Sequence, residues 1–203
     1  MKRVLFVALL ALALPIAAFA DSSVDFSSVG GTLSGWSGGL TLTGSGLSQV
    51  TGLIGPGTTA GALGSVSLST GALLSSVYKN GALLTATFAG GGSLVITGNG
   101  TDGIPSGVLF TGTFTGTPKL QQAGPGGGYI LYGSVTGTLS NGTQENGTFS
   151  FVTEIAGHKG YTGQIGIGSG DINVSPIPEP GTLTLLGTGL LGLVGAIRRK
   201  LAA

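Results

Sequence analysis

From Val108 to Thr117 the chain alternates with period two. Val108, Phe110, Gly112, Phe114 and Gly116 fall on one side, and Leu109, Thr111, Thr113, Thr115 and Thr117 on the other. Successive side chains of a strand point to opposite faces, so this run predicts a strand with an apolar face and a threonine face. The same period groups Leu84, Ala86 and Phe88, then Leu94 with Ile96, Leu131 with Val135 and Leu139, and Phe149 with Phe151. No interior window repeats apolar residues at i, i+3, i+4 and i+7, so the interior is read as all-β. Glycine fills 42 of the 203 positions, yet proline fills only eight and no strict Gly-X-Y period runs through them, which excludes collagen. The alternating apolar residues argue against disorder.

Turn chemistry suggests the pairing. A three-residue loop at Gly90-Gly91-Gly92 places Phe88 opposite Leu94 and Ala86 opposite Ile96, whereas a two-residue loop inverts one face. At Ser140-Asn141-Gly142-Thr143, a loop of Asn141 to Thr143 sets Val135 against Phe149 and Gly133 against Phe151. A two-residue Asn-Gly turn would need a bulge, which Gly147 could supply. Gly-Ala-Leu recurs at 61–63, 71–73 and 81–83. Three copies of so short a string do not make a solenoid, and ten residues is also a strand-plus-turn spacing. The expected fold is an antiparallel β-sandwich of roughly eight to ten strands in two sheets.

Both ends differ from this middle. Lys2-Arg3, the apolar run Val4 to Leu14, Pro15 and Ala18-Phe19-Ala20 follow the order of a secretory signal peptide, with cleavage expected between Ala20 and Asp21. Near the other end, residues 181–197 are uncharged and are followed by Arg198-Arg199-Lys200. Seventeen helical residues span about 25 Å, the lower limit for crossing a bilayer, and the basic triplet would stay cytoplasmic. This predicts a signal helix over 1–20, an exported domain over 21–175, and a sorting and anchor segment with a transmembrane helix over 176–203.

Directly before that apolar segment stands Pro178-Glu179-Pro180. The order Pro-Glu-Pro, apolar Gly/Leu segment, basic cluster resembles the PEP-CTERM sorting signal of exopolysaccharide-producing Gram-negative bacteria, over Ile177 to Leu201. The resemblance implies an exosortase-type processing enzyme as partner, transient anchoring in the inner membrane, removal of the tail, and delivery to the envelope surface or extracellular matrix. The Leu-Pro-x-Thr-Gly motif of Gram-positive sortases is not present.

Composition narrows the function of the middle. Eight Lys+Arg against seven Asp+Glu cannot neutralise a phosphate backbone, so a nucleic-acid partner is not expected. Zero Cys excludes a disulfide framework, a Cys-ligated zinc and a thiol nucleophile, and one His excludes a multi-His metal site. No cofactor is expected. Gly98 to Gly103 matches G-x-G-x-x-G, but Ile104-Pro105-Ser106-Gly107 cannot open a helix, so it is read as a turn. Asn99 and Asp102 in that loop, and Gly168-Ser169-Gly170-Asp171, are weak calcium candidates and are likewise read as turns. His158 is read as a loop residue, with no G-x-S-x-G elbow to serve. Glu145 and Glu154 could form a glycosidase pair, but one strand run with no aromatic cleft gives that chemistry no support. The N-G-T strings at Asn99, Asn141 and Asn146 read as turns. Trp36, Tyr78, Tyr129, Tyr132 and Tyr161 could stack on sugar rings if they share a face. The expected role is structural or adhesive without catalysis. The alternative is a carbohydrate-binding surface module, with extracellular polysaccharide as partner.

Overall fold

The alternating runs form strands, and their neighbours close into a ring. The computed structural model describes residues 23–79, 82–124, 128–154, 162–177, 187–189 and 192. Within the compact unit Ser23–Pro176 there are eleven strands among the described residues: β1 (Val24–Val29), β2 (Thr32–Trp36), β3 (Gly39–Gly52), β4 (Gly55–Ser69), β5 (Leu73–Lys79), β6 (Ala82–Phe88), β7 (Gly91–Asn99), β8 (Ser106–Gln122), β9 (Tyr129–Leu139), β10 (Gln144–Thr153) and β11 (Gly163–Pro176). The strands β1, β3, β4, β7, β8, β9, β10 and β11 each pair antiparallel with the next, and β11 returns to β1. The seam runs from Val24↔Val174 to Val29↔Ser169.

This eight-stranded closed barrel replaces the expected sandwich. The remaining strands prolong barrel strands. β2 lies between β3 and β11, as β1 does. At the break between β1 and β2, Ile167 N–H donates to the Gly31 carbonyl at 3.0 Å. β5 extends β4 and β6 precedes β7 in the same way. Across their breaks Ala89 N–H donates to the Ala72 carbonyl (2.8 Å) and Gly71 N–H to the Ala89 carbonyl (3.2 Å). Taken this way the chain runs up and down eight times, each pass pairing with the pass before it. Two edges that a sandwich would leave open are paired here, which satisfies their backbone groups.

Closure needs a sheet that coils, and the glycines supply it. Inward positions alternate large and small, as a narrow barrel requires. A Cβ on Gly137 would lie 2.6 Å from the Phe110 ring, and one on Gly112 would lie 2.8 Å from it. Gly133 similarly underlies Phe149 (3.1 Å). Phe26, Phe88, Phe110, Phe151, Leu33, Leu42, Leu94 and Ile96 are fully buried in the resulting interior. Outward positions carry Thr111, Thr113 and Thr115, opposite Thr138, Thr136 and Ser134. β-branched threonine suits a strand and meets water through its hydroxyl.

Three expectations of register are corrected. Gly90-Gly91-Gly92 is no hairpin. Positive φ at Gly91 and Gly92 (78° and 69°) redirects the chain without reversing it. Phe88 therefore faces Leu73 and Leu94 faces Leu68, although both are buried inward. The β9–β10 turn is centred one residue earlier than expected, so Gly133 pairs with Phe149 and Val135 with Gly147, and no bulge stands at Gly147. In β8, Ile96 and Thr97 of β7 face Phe110 and Val108, which leaves Leu109 as an extra residue. That bulge turns Leu109 inward (0% exposed) and Val108 outward (51%), against the simple alternation.

The C-terminal transmembrane helix of the expected fold is not found either. Among the described residues no helix is long and apolar enough to cross a membrane. Of that segment, only residues 187–189 and 192 are described as helical. The expected signal helix over 1–20 lies outside the described residues.

Candidate functional site

The outer wall is not uniformly flat. Between Thr115 and Lys119 the β8–β9 ladder slips, so that residues 116–118 of β8 oppose Gly133 alone. Pro118 sits in this slip, where a strand can accept a residue without a backbone N–H. The distortion opens a groove of about 580 Å³ on the outside of β8–β11. Thr115, Thr117 and Lys119 line it from β8, Tyr132 and Ser134 from β9, Thr148 and Ser150 from β10, and Asp171 from β11, with Gly133 and Phe149 also contributing. The Tyr132 hydroxyl donates to Gln121 Oε1 at 2.9 Å, which orients the ring at the margin. Partial burial raises the Asp171 carboxyl above its usual range, and the nearby Asp25 carboxylate adds to this. Asn173 Nδ2 donates to Asp25 Oδ1 at 3.2 Å. Chemically the groove offers hydroxyls, one ammonium, one carboxylate and a tyrosine edge. That set suits hydrogen bonding to a polyhydroxylated, weakly charged ligand.

The residues singled out in the sequence are scattered. Trp36 closes β2 and Tyr78 stands on β5, both half-exposed. Tyr129 is buried at 2% exposure, its phenol pushed up by burial and by the neighbouring Tyr78 hydroxyl. Tyr132 lies at the groove, and Tyr161 lies outside the described residues. The aromatics thus do not form one flat platform. Glu145 points into the barrel, 1% exposed, while Glu154 follows the opposite end of β10. Nine residues of strand separate them by about 30 Å. A glycosidase pair works within about 5–9.5 Å, so these two carboxylates cannot act together.

Gly98 and Asn99 close β7 as paired strand, and the turn read there is confined to the residues that follow. Ile104 N–H donates to the Thr101 carbonyl (2.9 Å) around Asp102 and Gly103, whose φ angles are 52° and 82°. Asn99 Nδ2 donates to the Ala62 carbonyl (2.6 Å), tying the loop to β4. Asn141 lies in the β9–β10 turn and accepts from Thr143 N–H at 2.9 Å. Two readings are corrected: Gly168-Ser169-Gly170-Asp171 belongs to β11, and Asn146 to β10, both paired strand rather than turn. His158 lies outside the described residues. Sequence reasoning missed the groove because Lys119, Tyr132 and Asp171 come from three strands; Pro118 inside an alternating run was the available signal for the slip.

β11 ends at Pro176, beside Glu145, and Ile177 follows. Pro178, Glu179, Pro180, Arg198, Arg199 and Lys200 lie outside the described residues, as do Ala20 and Asp21. Residues 176–200 match the family model described as the PEP-CTERM protein-sorting motif. This chain carries a PEP-CTERM motif. No curated protein and no solved structure matches the chain. The PEP-CTERM match contains the Pro178-Glu179-Pro180 tripeptide and the basic cluster, and it begins on the last residue of the barrel. The motif marks an exported protein that an exosortase processes and sorts to the cell surface.

Proposed function

We propose that the PEP-CTERM tail delivers a non-catalytic, water-facing barrel that acts as a structural or adhesive module of the cell surface or its matrix. The observation that carries this reading is the polarity of the wall. Apolar side chains fill the interior and Thr and Ser occupy the outside. A barrel that spans a membrane presents the opposite pattern, an apolar outer band around a polar lumen. With the interior filled, a partner must meet the outer wall or an end. The groove beside Tyr132 supports a second reading, a carbohydrate-binding module that engages extracellular polysaccharide. Loss of polysaccharide binding in Tyr132→Ala, without loss of surface delivery, favours that reading over a purely structural role.

Delivery is proposed to pass through a transient inner-membrane anchor formed by residues 181–197 and held by Arg198-Arg199-Lys200. Each of these charges resists crossing by about 2.5–3.5 kcal/mol. Pro180 biases Glu179 toward an extended backbone and lacks an N–H to join a helix. Glu179 is thereby kept out of the apolar segment and presented to the processing enzyme. Replacing Pro178, Glu179 and Pro180 by Ala is expected to leave insertion intact and to block trimming. The readout is the mass and cell fraction of the protein in its native host. A triple variant trimmed and released like the wild type sinks the sorting mechanism but leaves the barrel untouched.

A further inference from the structure

The groove opens onto a longer pattern in the outer wall. Strand registers place Lys119, Tyr132, Ser150, Asp171, Ser27 and Gln49 side by side, one each from β8, β9, β10, β11, β1 and β3. A second row, Thr115, Ser134, Thr148, Asn173, Asp25 and Thr51, crosses the same strands. From β9 to β3 the rows stand two residues, or about 7 Å, apart. On β8 the slip sets Gly116, Thr117 and Pro118 between them. None of the side chains in either row is buried. Neither row holds an aliphatic residue, and only Lys119, Asp171 and Asp25 are charged. The groove follows the rows rather than the strands: it crosses four strands but takes only residues 132–134 of β9, 148–150 of β10 and Asp171 of β11.

We propose that the two rows form one track for a neutral polysaccharide, which lies across the strands and continues from the groove onto β1 and β3. The proposal rests on the carbohydrate reading of the groove and adds its direction, its length and its ligand class. Neighbouring strands are about 4.8 Å apart, close to the rise of one pyranose unit in an extended glycan. Each strand therefore brings a new hydroxyl, amide or carboxylate to each successive sugar. Hydroxyls and amides both donate and accept, as sugar hydroxyls do. Tyr132, partly exposed, adds an aromatic ring on which a sugar can stack. A protein partner would seek an apolar centre in its patch, and the rows have none. A nucleic acid would seek several cations, and the rows hold Lys119 alone. Charge also selects among glycans. An acidic chain would lay its carboxylates beside Asp171 and Asp25, and like charges in apposition reject a ligand. A neutral chain meets the same two groups as hydrogen-bond acceptors.

The test is affinity electrophoresis of the purified exported protein in gels that contain the host's extracellular polysaccharide, split by anion exchange into neutral and acidic fractions. The neutral fraction is expected to retard the wild type more than the acidic one. Gln49 stands on β3, outside the groove. Gln49→Ala is expected to weaken binding about three- to tenfold, the value of one hydrogen bond, and Tyr132→Ala at least as much. Ser67→Ala, exposed on β4 and in neither row, is expected to bind like the wild type. All three variants should melt with the wild type, since they alter the surface alone. If neither fraction retards the protein, the carbohydrate reading fails and takes the track with it. If Tyr132→Ala loses binding while Gln49→Ala keeps it, the groove reading stands and the track is overturned. Stronger retardation by the acidic fraction overturns the ligand class, and Ser67→Ala as harmful as Gln49→Ala overturns the rows.

Discussion

Phe88 is completely buried, paired with Leu73 across β5–β6, and truncation there leaves a cavity the rigid wall cannot fill. Phe88→Ala is expected to cost about 3–5 kcal/mol in denaturant unfolding; a loss under 1 kcal/mol would place the ring outside the core. A second residue reports on the wall. Asp171 has its carboxyl raised by partial burial and by Asp25. A raised folded-state value means that the native state binds more protons than the unfolded chain between the two values, so stability falls as pH rises through that window. At neutral pH the ionised group destabilises in full. Asp171→Asn is therefore expected to melt higher than wild type at pH 7, with the gain vanishing below about pH 3.9, where Asp171 is protonated in both states. An equal gain at pH 3 and pH 7 would contradict the electrostatic cause.

At the scale of elements, the bulge in β8 separates simple alternation from the observed wall. Leu109→Ala is expected to destabilise by about 2–5 kcal/mol, and Val108→Ala to change stability by no more than about 0.5 kcal/mol. Thermal or urea unfolding of the two variants checks it, and the reverse order would restore the unbroken alternation of Val108 with Phe110. This position also marks how far the sequence was legible. Period two located strands because each side chain's face is a local property. It failed at Val108 because a bulge is set by the partner strand, here Ile96 and Thr97 facing Phe110 and Val108. Gly91 and Gly92 read as a reversal because glycine permits many bends, and only the continuation along β8 selects a redirected, unreversed chain. The sorting tripeptide was legible because its recognition is linear. The groove was not, because a slip in one ladder assembled it from four strands.

For the whole molecule the decisive feature is closure between β1 and β11, joined by pairs such as Val24↔Val174. Residues that far apart leave no local trace of their pairing, and period-two strands serve a sandwich and a barrel equally well. The inward glycines beneath Phe110 and Phe149 carry the difference, because they let the sheet coil onto itself. Closure has consequences for delivery. Both ends of the barrel's chain meet at the same rim, where β1 begins and β11 ends. The far end carries the Ser37–Gly38 turn and the β8–β9 hairpin.

The most direct measurement is residue-resolved amide hydrogen exchange by NMR on the exported protein. A strand with two neighbours protects the amide of nearly every residue, whereas an edge strand leaves alternate amides pointing to water. The account predicts continuous protection along β1, β3, β7, β9, β10, residues 64–69 of β4, 110–115 of β8 and 169–174 of β11, broken only at bulges. Alternate, fast-exchanging amides are predicted along β5, which only β6 pairs among the described residues. An alternating edge pattern along β1 and β11, or along β8 and β9, would mean that the ring is open there and would contradict the barrel.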